Sequence, residues 1–189
     1  MKKIGIYGGT FDPIHHGHLI LAREAREQLG LAQIIFVPAG VSPHKMERAP
    51  APGDARMEML KAAIENDDAF GVTDLELRRP PPSYTIDTVQ EISAREPDCE
   101  LYYLVGEDNV AKLDTWHRFE ELQKLVQFAV LDRTGAGVEH QYPVVCRRID
   151  ISGSDIRKKV ASGLPIRYLV PPAVEEIIHR RNLYREPAK

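Results

Sequence analysis

The chain has only two cysteines in 189 residues, Cys99 and Cys146, and they form neither a C-x-x-C pair nor a Cys/His cluster of metal spacing. A disulfide framework is not supported, and two free thiols in a reducing compartment is the plain reading. No apolar run approaches the roughly 18 residues that a membrane-crossing helix requires. Met1-Lys2-Lys3 opens like a signal peptide, but Gly5, Gly8, Gly9 and Thr10 interrupt the apolar stretch before a hydrophobic region forms. A cytoplasmic protein is therefore expected. Charge of one sign is scarce too: the formal net charge is -3, with no long block of either sign. Nucleic acid and anionic membrane are not expected partners, while a local basic pocket stays compatible with the composition. Two common phosphate fingerprints are missing as well. G-x-x-x-x-G-K-[ST] does not occur, and Gly5, Gly8 and Gly9 do not make G-x-G-x-x-G, which argues against a P-loop hydrolase and an NAD-dependent dehydrogenase.

What remains is ordinary globular material, 43% hydrophobic and 28% charged, of a length suited to a single domain over residues 1–189. Residues 4–7 read as a buried strand, 19–29 as a helix closed by Gly30, and 33–37 as a second strand ended by Pro38. Two strands joined by one helix make a βαβ unit with parallel strands and a right-handed crossover. After a loop over 38–53, Asp54 is a plausible N-cap for a helix to residue 66. Alternation over 72–77 predicts a strand, which the prolines of 78–83 end. Further helices are expected at 85–95, 119–126, 154–162 and 173–183, and strands at 101–105, 128–132 and 144–149. The order specifies an α/β fold, a doubly wound and mainly parallel sheet with helices on both faces. Ligands of such sheets bind beyond the carboxyl ends of the strands.

The polar clusters all follow predicted strands, so one composite site is the economical inference. Gly8-Gly9-Thr10-Phe11-Asp12-Pro13-Ile14-His15-His16-Gly17-His18 joins a strand to a helix N-terminus, where unpaired N–H groups and the positive dipole end favour phosphate. His15 and His18 are three apart and share a helix face. Neutral imidazoles there can donate hydrogen bonds to phosphate oxygens and stabilise charge that builds in transfer, without a protein nucleophile. The rival reading makes His15, His16, His18 and His44 metal ligands, but no acidic or thiol partner stands at a usual spacing. Lys45, in Pro43-His44-Lys45, is either a solvated loop charge or a phosphate ligand. Arg157, in Ile151-Ser152-Gly153-Ser154-Asp155-Ile156-Arg157, is an ordinary capped-helix arginine taken alone and the far wall of a triphosphate pocket taken with the histidines. Trp116, the sole tryptophan, is either a core anchor or a platform for a flat ligand ring.

These stretches resemble a known superfamily. The glycine–histidine run resembles the H-x-G-H signature of the nucleotidyltransferases, and residues 151–157 resemble their second signature, I-S-S-T-x-x-R. Within the superfamily, Val37-Pro38, Pro43-His44-Lys45, Ser83-Tyr84-Thr85 with Asp87-Thr88, Gly106-Glu107-Asp108, Trp116, Arg133 and the tail from Tyr168-Leu169-Val170-Pro171 to Leu183-Tyr184 are similar to the bacterial nicotinate-nucleotide adenylyltransferases. The resemblance implies transfer of an adenylyl group from ATP to nicotinate mononucleotide, giving deamido-NAD and pyrophosphate, with Mg2+ arriving on ATP and no metal site of the protein's own. It implies that His15, His18, Lys45 and Arg157 act on the phosphates with Ser152, and that Gly8, Gly9, Thr10, Phe11, Gly106, Asp108 and Arg133 surround the rest of ATP. Thr85 and Trp116 would hold the pyridine ring, with Tyr84, His44 and Lys45 beside them. A monomer or small homo-oligomer is expected.

Two positions depart from that pattern. Gly153 stands where a small hydroxyl or alanine is usual, so a side-chain contact to phosphate would be absent or replaced by a backbone N–H, and Ser42 replaces a common second proline before Pro43. Phosphopantetheine adenylyltransferase shares both signatures but lacks the Tyr84-Thr85 and Trp116 features. A catalytically idle nucleotide sensor on the same fold would have no need of His15, His18, Lys45 and Arg157 together.

Overall fold

Short β-branched runs buried on both faces, each followed by an amphipathic helix, can pair only as parallel strands. The computed structural model, which describes residues 1–40, 49–135, 137 and 140–185, has that architecture. Six strands, β1 (Lys2–Gly9), β2 (Gln33–Pro38), β3 (Phe70–Val72), β4 (Cys99–Gly106), β5 (Gln127–Asp132) and β6 (Val144–Cys146), form one sheet in the order β3-β2-β1-β4-β5-β6. Every pairing is parallel. The order reverses between β1 and β4, so their following segments diverge and leave a crevice at the carboxyl edge of the sheet.

Alternation along β1 and β4 divides the core. Tyr7, Tyr102 and Leu104 face one layer with Phe11, Leu21 and Ile156. Ile4, Ile6, Tyr103 and Val105 face the other, with Ile86, Val89 and Leu122. The first layer is covered by α1 (His16–Leu29), α2 (Gly53–Ile64), α7 (Gly153–Ala161) and α8 (Pro172–Arg180), and the second by α3 (Leu75–Arg78), α4 (Thr85–Arg95) and α6 (Phe119–Leu125). A one-turn α5 (Glu107–Val110) follows β4 directly.

Several boundaries differ from the sequence expectation. Helix α1 starts at His16 with His15 at its N-cap, so the H-x-G-H run is the first turn of the helix and not a loop ahead of it. Asp54 does not cap α2. Pro52 holds that position and the Asp54 carboxylate pairs with Arg181 at 2.7 Å. The strand expected over 72–77 ends at Val72, because β3 pairs only with β2 at the sheet edge. Beyond it Leu75 turns inward in a helical turn and is buried. The last strand is short, yet its path continues beside β5: Arg147 N donates to Asp132 O at 2.9 Å and Ile149 N to Arg133 O at 3.0 Å.

Candidate active site

At the crevice lies a cavity of about 1080 Å³, large enough for a nucleotide. Its walls come from the ends of β1, β4 and β5, the first turn of α1, and the start of α7. Gly8, Gly9, Thr10, Phe11, His15, His18, Gly106, Asp108, Arg133, Ser152 and Arg157 all line it. Residues far apart in the chain therefore meet in one space, as the position of each after a parallel strand requires.

The two histidines are stacked, with ring centroids 3.7 Å apart and planes 23° from parallel. Phe11 and Tyr7 meet the His18 ring edge-on. Such close stacking disfavours two positive rings. Burial pushes His15 down to about 4, with Arg133 and His16 adding to the effect. Burial, His15 and Arg133 hold His18 well below the ordinary histidine range. Both Nδ1 atoms are enclosed without a hydrogen-bond partner among the described residues, which leaves Nε2 as the nitrogen each ring can offer to the cavity. Gly17 makes the stack possible: a Cβ there would sit 3.0 Å from His15 Nδ1. His15, Gly17 and His18 at the start of α1 line the cavity, so the positive end of the helix dipole lies at the same site.

Arg157 lies opposite, one turn into α7. Its Nη1 donates to the main-chain oxygen of Asp12 at 2.6 Å and its Nη2 to Ser154 Oγ at 3.1 Å. Ser152 is the N-cap of α7, its Oγ accepting from Asp155 N at 3.1 Å. Gly153 accounts for its own departure from the signature, since an added Cβ would approach Asp12 O at 3.0 Å and Arg157 Nη1 at 3.3 Å. A side chain there would crowd the contact between the two walls. At the third wall, Asp132 Oδ1 accepts from Thr134 N and Gly135 N, each at 2.8 Å, and so fixes the turn that carries Arg133.

The residues expected around a pyridine ring do not line the cavity. Trp116 is half-buried, edge-on to Tyr103 at 5.6 Å. Tyr84 stacks on His117 at 4.2 Å. Thr85 is the first residue of α4, whose N-terminus no side chain caps. All three belong to the second layer, and His44, Lys45 and Ser42 lie outside the described residues. Tyr103 links the two regions: its ring meets Trp116 edge-on, and its buried hydroxyl packs against Gly8 too closely for a Cβ at that position.

Sequence reading missed Tyr103 and Arg56. Buried at 4% exposure, Arg56 donates to Ala51 O at 3.0 Å, Thr10 O at 2.8 Å and Ala39 O at 2.9 Å. It thereby joins the segments that follow β1 and β2. The available signal was an arginine three and four residues before Met59 and Leu60, on the apolar face of its helix.

Fold and cavity together define a nucleotide-binding α/β enzyme of the nucleotidyltransferase class, and the profile of the cytidylyltransferase-like family matches residues 6–159. A probable nicotinate-nucleotide adenylyltransferase of Shouchella clausii is 45% identical over 189 residues, covering 97% of each chain. One of Geobacillus thermodenitrificans is 43% identical over 187 residues, covering 97% of this chain and 87% of its own. Among solved structures, the Plasmodium falciparum nicotinic acid mononucleotide adenylyltransferase complexed with NaAD superposes with a TM-score of 0.79 at 20% identity, over 97% of this chain and 98% of that one. The chain belongs to the cytidylyltransferase-like family and, within it, to the nicotinate-nucleotide adenylyltransferases.

Proposed function

We propose that the protein transfers the adenylyl group of ATP to the phosphate of nicotinate mononucleotide, releasing pyrophosphate and forming deamido-NAD. The observation that carries this reading is the stacked, neutral His15–His18 pair facing Arg157 across a nucleotide-sized cavity. An incoming mononucleotide phosphate is already anionic and nucleophilic, so no protein base is needed. The work is to bring two anions together in line and to neutralise charge on the departing pyrophosphate. As Nε2–H tautomers, His15 and His18 would donate to the phosphates without first repelling each other. Arg157, Arg133, Ser152 and Lys45 would supply the remaining donors, and Gly8, Gly9, Thr10, Phe11, Gly106 and Asp108 would enclose the adenosine. The names of the relatives support nicotinate mononucleotide as the acceptor.

Mg2+ would enter on the triphosphate. Among the described residues no group of three His, Cys, Asp or Glu could hold a metal, while Asp12, Glu107 and Asp108 carboxylates line the cavity. That donor set fits an ion carried mainly by substrate phosphates and water. When bound, it would add positive charge to the phosphates that the imidazoles and arginines already approach.

Acid is favoured over amide by the uncapped N-terminus of α4, where main-chain N–H groups near Thr85 prefer a carboxylate. Trp116 and Tyr84 would then contact the ring. The test is pyrophosphate release from ATP with nicotinate mononucleotide, nicotinamide mononucleotide or phosphopantetheine as acceptor. Release with the first, together with a loss of about 100-fold or more in kcat for a folded His18→Ala variant, is the expected result. ATP binding with no release for either pyridine mononucleotide would overturn the proposal.

A further inference from the structure

Near its carboxyl end the chain returns to the phosphate turn at two points. Leu169 O accepts from His16 N at 3.0 Å, satisfying an N–H at the start of α1. The Tyr184 hydroxyl donates to Asp12 Oδ1 at 2.7 Å, across 172 residues. Tyr184 is only 6% exposed, does not line the cavity, and holds a left-handed φ of 63° that a non-glycine residue adopts at a cost. Such a conformation persists where surrounding contacts fix it.

Asp12 is the junction. Its Oδ1 accepts from Tyr184 and from Ala51 N, the latter at 3.0 Å. Its main-chain oxygen takes Arg157 Nη1 at 2.6 Å, and its Oδ2 lies 3.6 Å from the same nitrogen. With Asp12 held from behind, the guanidinium is held in front. Of its five N–H donors, one is spent on Asp12 and one on Ser154 among the described residues, which leaves others to meet an anion in the cavity.

We propose that Asp12 and Tyr184 are positioning residues: Tyr184 fixes Asp12, and Asp12 fixes the Arg157 guanidinium in the orientation that grips the ATP phosphates. The inference rests on the reading of Arg157 as a phosphate ligand. A preorganised guanidinium binds without first losing its side-chain freedom, so releasing it weakens ATP binding even through Tyr184, which does not line the cavity.

Tyr184→Phe keeps the ring and removes the one donor. Asp12→Asn keeps an Oδ1 acceptor for Ala51 and Tyr184 but turns an NH2 toward Arg157. Each variant is made alone and in an Arg157→Ala background, and ATP affinity is measured by calorimetric titration, with thermal unfolding as a check on the fold. In the native background a loss of about ten-fold is expected for each, the scale of one hydrogen bond to a charged group. In the Arg157→Ala background the same changes should leave ATP affinity within about two-fold, because coupled residues are non-additive. Equal losses in both backgrounds would overturn the proposal, since the two side chains would then act on the fold generally, and so would an unchanged native-background affinity. The titration is independent of the acceptor. Failure to release pyrophosphate with nicotinate mononucleotide would count against the proposed reaction, whereas the positioning role stands or falls with the ATP affinities alone.

Discussion

The histidine pair sets a pH dependence at the level of single residues. His15 titrates near 4 in the folded chain against an ordinary 6.5, because burial, and then Arg133 and His16, disfavour its charged form. The unfolded chain therefore binds the proton more readily. Stability is full above pH 6.5, declines as pH falls below that value, and stops declining on this account near pH 4. A difference of this size corresponds to about 3 kcal/mol, and His18 acts in the same direction. Urea unfolding of the wild type and of His15→Gln at about pH 7 and pH 5 should show the wild type losing more stability between the two, with the variant's slope flattened. An identical slope would mean that His15 is not buried neutral. These two residues, with Arg157, were legible in the sequence because their spacing encodes them. Tyr103, Arg56 and Tyr184 were not: their partners are Gly8, backbone carbonyls, and Asp12, none at a distance that helix or strand periodicity can express.

Among elements, those with long apolar patterns came through in the sequence and the edges did not. Helix α4 (Thr85–Arg95) and strand β5 (Gln127–Asp132) agree with the reading to within a residue, since each buries a continuous face. The 72–77 stretch misled because its alternation fits a strand, whereas its length of pairing depends on how far β2 extends beside it. In the folded chain Glu76 instead turns inward to accept from Gly40 N at 3.4 Å and the Thr88 hydroxyl at 3.2 Å. Two arginines of the α2 region separate buried from exposed contributions. Arg56→Ala would remove the buried guanidinium that three part-buried carbonyl oxygens share, and a loss of about 2–4 kcal/mol is expected. Arg181→Ala would break pairs to Asp54 and Glu58, each at 2.7 Å, but with Asp54 67% exposed solvent screens them and a much smaller loss is expected. Urea midpoints decide the ordering, and equal losses would contradict it.

For the whole molecule, the doubly wound class could be read from the alternation of elements, and with it the gathering of post-strand segments on one edge, whereas the strand order and its reversal between β1 and β4 are seen only in the structure. The division of that edge into a cavity on one layer and Tyr84, Thr85 and Trp116 on the other could not be read, because sequence does not tell which side of the sheet each helix covers. A ligand that binds only the folded cavity stabilises the whole fold. At about 100 times its Kd, ATP should add roughly 2.7 kcal/mol, which for a chain of this size raises Tm by about 5–10 °C. Calorimetry with and without ATP checks this, and no shift would argue against the cavity as the nucleotide site.

The bond between Tyr184 and Asp12 also has a meaning in time. Translation runs from the amino end, so the glycine–histidine turn leaves the ribosome before its anchoring hydroxyl, which is added 172 residues after Asp12. At about 5–20 residues per second that interval is on the order of ten to thirty seconds. Throughout most of it a nascent chain can hold the sheet's first βαβ unit yet lacks both α7, with its arginine, and the tyrosine that fixes Asp12. The contact that ties Asp12 to the far end of the chain thus forms only after synthesis has passed Tyr184.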